Sequence, residues 1–62
     1  MKDFYKELDS CLTAYENHGK YWRSLEWCAS KISWCYKWKK LPIKQIHSLA
    51  DRATKLFDEG DQ

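Results

Sequence analysis

KYWRSLEWCASKISWCYKWKK, residues 20–40, decides the fold. It holds all four tryptophans of the chain, two of its three cysteines, and neither glycine nor proline. Its aromatic and β-branched residues suit a strand, but strict alternation is absent and the run is too long for one. Wound at about 100° per residue from Tyr21, its apolar residues divide into two sectors. Cys35, Cys28, Tyr21, Ile32, Leu25, Tyr36, Ala29 and Trp22 share one broad arc, the expected core face. Trp27, Trp34 and Trp38 cluster on another, spaced i, i+7, i+11. Between them lie Ser33, Glu26, Lys37, Ser30 and Arg23. The stretch therefore reads as a helix over 20–39, apolar on two faces and polar on the third.

Upstream, Phe4, Leu8, Cys11, Leu12 and Tyr15 form a single helical stripe. Asp3 suits the N-cap, Glu7 favours the positive end of the helix dipole, and Gly19 suits a left-handed stop. A first helix over 3–17 follows. Downstream, Pro42 suits a first helical position. Ile43, Ile46, Ala50, Ala53 and Phe57 then repeat as a two-heptad seam, widened by Leu49 and Leu56. This is a third helix over 42–58, with Gly60 at its end and fraying expected beyond it.

The chain is thus expected to be all-α, a helical hairpin plus a third helix forming a single domain over 1–62. Leu8, Cys11, Leu12, Leu25, Cys28, Ile32, Ile46, Ala50, Ala53 and Phe57 are the expected core. With 62 residues, the chain buries only about 60% of its unfolded surface, so a lone core is marginal. Ten aromatic residues exclude disorder.

Three cysteines are an odd number, and no apolar leader follows Met1 and Lys2, so a disulfide framework is not expected. Cys28 and Cys35 stand two helical turns apart, roughly 10 Å, too far to bond each other. Their spacing also misses the common zinc patterns, and a zinc site with His47 ranks below the plain reading of small buried hydrophobes in a reduced core. No metal or cofactor is expected. No run of the length a bilayer requires is free of charge, and a soluble cytoplasmic protein without a membrane partner is expected.

The Trp27–Trp34–Trp38 stripe must be covered, because three exposed indoles exceed the apolar patch a monomer tolerates. Helix 3, a second copy or another ligand are the candidates. A homodimer with Trp27, Trp34 and Trp38 at the interface, beside Lys31, is the expectation carried forward. Enzyme function is the least expected class, since no acid, base or nucleophile constellation stands in so short a chain. His18 reads as part of a helix stop and His47 as a boundary residue.

The net charge of +2 conceals a gradient. Residues 32–55 carry Lys37, Lys39, Lys40, Lys44, Arg52 and Lys55 against Asp51 alone, while the tail is acidic. Those six cations are the candidate nucleic-acid contacts, an alternative to the principal expectation of a small regulator or inhibitor acting through a protein partner. The size and style of the chain, with KYWRSLEWCASKISWCYKWKKLP at its middle, resemble the small helical accessory and early-region proteins of temperate lambdoid phages. That resemblance implies modulation of phage development or of a host factor, often as a dimer.

Overall fold

The computed structural model describes residues 3–60. Three helices follow one another: α1 Phe4–His18, α2 Leu25–Lys37 and α3 Ile43–Gly60. The expected fraying past Gly60 concerns Asp61 and Gln62, and the expected lack of a leader concerns Met1 and Lys2; both pairs lie outside the described residues.

Local chemistry sets the helix ends. The Asp3 carboxylate accepts from the Lys6 amide at 3.0 Å and caps α1. Gly19 closes it at φ +71°, its amide donating to the Tyr15 carbonyl. A side chain there would enter the left-handed region at a cost that glycine avoids. α2 starts five residues later than the spacing predicts. Ser24 is its N-cap, accepting from the Trp27 amide at 3.0 Å, with Glu26 in the first turn. A hydroxyl that can satisfy an orphan amide outweighs the helical periodicity of Tyr21 and Trp22. Residues 20–23 therefore lie outside the helix, pinned where the Tyr15 hydroxyl donates to the Arg23 carbonyl.

At the other end of α2, the Lys40 amide donates to the Cys35 carbonyl and the Lys39 amide to that of Tyr36. This double closure needs a left-handed residue, and Lys39 supplies it at φ +53° without being glycine. Pro42 stands just before α3, and its carbonyl accepts the first helical bond, from Ile46.

α1 and α2 run antiparallel: Phe4 meets Trp34, Cys11 meets Cys28, and Tyr15 reaches back to the start of α2. α3 returns along both. The core consists of Leu8, Cys11, Leu12, Cys28, Ile32, Cys35, Ile46, Leu49 and Ala53, with no buried polar side chain among the described residues. Each fully buried leucine contributes about 1.5–3 kcal/mol relative to exposure. Leu25 and Ala50 pack at its edge.

Phe57 is not in the core; it is 38% exposed. The buried line of α3 runs through Ile46, Leu49 and Ala53, so Ile43 and Phe57 fall on its flank. Trp22 and Tyr36, placed on the core face by the spacing, are exposed, Trp22 because it precedes the helix.

The cysteines overturn the expectation of a reduced core. Cys11 and Cys28 form a disulfide, with Cα atoms 6.9 Å apart. Their pairing arises from the antiparallel hairpin, which brings the middle of α1 opposite the start of α2. It also removes Cys28 from any zinc set. Cys35 is a free, buried thiol, and burial pushes its pKa up, opposed in part by Lys31.

Between α1 and α3, Arg52 bridges three groups. Its guanidinium donates to Asp9 at 2.6 Å, Glu16 at 2.6 Å and Thr13 at 2.9 Å. Its pKa is raised, first by the Glu16 hydrogen bond. Among the described residues no helix is long and apolar enough to cross a membrane.

Candidate interaction surface

The flank of α2 turned towards α1 carries the most distinctive surface. Trp27, Ser30, Lys31 and Trp34 line a shallow depression of about 270 Å³. α1 contributes Phe4, whose ring meets Trp34 edge-on with centroids 5.4 Å apart. The i, i+4, i+7 spacing of Trp27, Lys31 and Trp34 places them on one helical face, as the sequence indicates.

Each tryptophan has a cation over its ring. Arg23 lies between Trp22 and Trp27, 3.9 and 4.4 Å from their centroids. Lys31 lies between Phe4 and Trp34, at 5.0 and 4.3 Å. Lys40 approaches Trp34 at 5.8 Å, and Lys37 approaches Trp38 at 5.6 Å. The ring quadrupole attracts the cation while the aliphatic stem covers apolar area. An exposed pair of this kind contributes about 0.5–1 kcal/mol. The surface is therefore apolar and positively charged at once. Over residues 20–40 it carries Lys20, Arg23, Lys31, Lys37, Lys39 and Lys40 against Glu26.

The expected interface residues do not all converge. Trp27, Lys31 and Trp34 share the depression, while Trp38 stands past the end of α2, at its C-cap, beside Lys37. Trp34 remains 37% exposed despite Phe4. The expected nucleic-acid set is dispersed. Lys37 and Lys40 join the tryptophan surface, Lys39 is the turn residue, and Lys44 and Lys55 are exposed on α3. Arg52 faces α1, bonded to Asp9, Glu16 and Thr13.

Phe4, Trp22 and Arg23 are the surface residues that periodicity misses. Phe4 reads as the first residue of the apolar stripe of the first helix, and Trp22 and Arg23 as helical. Ser24 was the signal for the last two: a cap there leaves both in the connection. His18 is exposed in the last turn of α1. His47 borders a separate groove with Ile32, Ser33, Tyr36, Ile46 and Ala50. No group of three or more His, Cys, Asp or Glu side chains among the described residues is placed to hold a metal ion.

Compared with known protein families, characterised proteins and solved structures, the chain matches none.

Proposed function

We propose that the protein is a non-enzymatic binding module that regulates a protein partner by occupying it through the tryptophan flank of α2. The observation that carries this reading is the cation over every indole. Such a surface complements a partner that offers carboxylates around an apolar stripe. Aromatic and arginine residues supply most of the energy of such contacts, and charge complementarity supplies selectivity.

The same charge argues against self-docking through this flank. A two-fold dimer would place the patch on itself and bring Arg23, Lys31 and Lys40 against their own copies. Nucleic acid is the second candidate. Stacking bases compete for ring faces, and each indole here already has one of the chain's own cations over it. Arg52, moreover, is bound within the fold. A regulator of this size suits the phage accessory role that the resemblance implies.

A displayed library of random peptides tests the reading. The oxidised protein should enrich sequences that alternate acidic and apolar residues at helical spacing, and Lys31→Glu should reverse the acidic preference. Enrichment without acidic bias contradicts it. A short fluorescent single-stranded oligonucleotide is the counter-probe. A complex at micromolar protein that weakens steeply with salt would replace the protein partner with nucleic acid.

A further inference from the structure

α3 carries its charges against its own dipole. Lys44 stands in its first turn, where unpaired N–H groups leave partial positive charge. Asp58 and Glu59 stand in its last turn, where carbonyls leave partial negative charge. The first turn has no acidic residue and the last no basic one. Among the described residues, none of these three side chains forms an ion pair.

The same helix has a mixed strip with two exposed apolar ends, while Ala50 at its middle is half-buried at the edge of the core. Ile43, His47, Ala50, Thr54 and Phe57 follow one another at spacings of four and three. Ile43 is 51% exposed and Phe57 38%. Ser33 and Tyr36 of α2 border the strip beside His47 and Ala50. Ala50 lies seven residues from each large apolar residue, so Ile43 and Phe57 stand about 21 Å apart along the axis.

We infer that α3 is a self-association surface whose occupant is the antiparallel α3 of a second copy, with the two-fold axis at Ala50. In that arrangement Ile43 of each copy meets Phe57 of the other, and the small Ala50 side chains let the helices approach. Lys44 falls beside Asp58 of the second copy, at the negative end of its dipole. Both charge placements that oppose the dipole in one chain become favourable in the pair. The two Asp51 side chains approach each other near the axis, the one like-charge contact of this arrangement, each with Lys55 one turn away on its own helix. A parallel pairing would instead set like charges side by side. The tryptophan flank faces α1 and stays open, so a dimer presents it twice.

Sedimentation equilibrium across a concentration series tests this. The native protein should pass from one-chain to two-chain mass as concentration rises. Ile43→Glu and Phe57→Glu, both at exposed positions, should remain at one-chain mass with unchanged helical circular dichroism. Lys44→Glu should weaken association by about tenfold or more, and Lys44→Glu with Asp58→Lys should recover most of that loss. Lys44→Glu also removes a cation from the positive end of α3, so the dilute variant should melt higher than the native chain. A role confined to the fold would move stability and mass in the same direction. A native chain that stays at one-chain mass into the millimolar range overturns the inference, as does a dimer lost with Trp34→Ser but kept in Ile43→Glu.

Discussion

The sulfurs of Cys11 and Cys28 are joined across the α1–α2 pair, seventeen residues apart in sequence, within a core of nine buried side chains among the described residues. So small a core leaves the hairpin dependent on that bond. Phe4 and Trp34, at the far end of the same pair, owe their contact to the alignment it holds.

Reduction by a dithiol, or Cys11→Ser with Cys28→Ser, should lower stability by about 3 kcal/mol, the loop-closure value for this separation. Urea unfolding with and without the reductant measures it. Intact mass before and after reduction checks the bond itself, through the gain of two hydrogens.

Arg52→Met should cost about 1–2 kcal/mol. The value for hydrogen bonds to charged groups is discounted here because Asp9 and Glu16 are partly exposed. The loss should shrink in high salt, and thermal melts at two ionic strengths check both parts.

Lys39→Gly should stabilise the protein by about 1 kcal/mol. Lys39 holds a left-handed conformation at φ +53°, and glycine adopts it without the steric cost of a β-carbon. The unfolding midpoint should rise without a change in its denaturant slope.

Cys35 should resist alkylation in the folded state and react fully once unfolded. Burial raises its pKa, so less reactive thiolate is present at any pH. The sign for stability follows. The folded pKa lies above the unfolded one, so this contribution is complete below the unfolded pKa and is lost as pH rises through the folded value. Stability should therefore fall on the alkaline side, and less so in Cys35→Ala. Alkylation rates and unfolding curves across the alkaline range check both statements.

Much of the architecture was legible because particular residues carry unambiguous signals. Asp3, Gly19 and Pro42 bound the helices by mechanisms that do not depend on tertiary context. The spacing of Leu8, Cys11, Leu12, Cys28 and Ile32 identifies most of the core. The start of α2 was misplaced because Tyr21 and Trp22 fit the helical period that Ser24 interrupts. The disulfide was hidden for a different reason. Spacing along one helix excludes Cys28–Cys35, but the level at which α1 meets α2 is a property of packing. For the surface, periodicity isolates Trp27, Trp34 and Trp38 with Lys31 beside them, of which Trp38 falls past the end of α2 and away from the shared depression. It cannot show that Phe4 comes from another helix to complete the pair around Lys31, or that Arg23 lies between two indoles.

The most direct test of the tryptophan surface is a binding isotherm. Its ligand is an acidic, apolar peptide taken from the display selection, titrated into the oxidised native protein and into Lys31→Glu while tryptophan emission is followed. Expected are a saturable change in the native emission, an affinity that falls with salt, and a loss of about tenfold or more in Lys31→Glu. Equal affinity for the native and variant proteins, independent of salt, would contradict the assignment of this surface to an acidic partner.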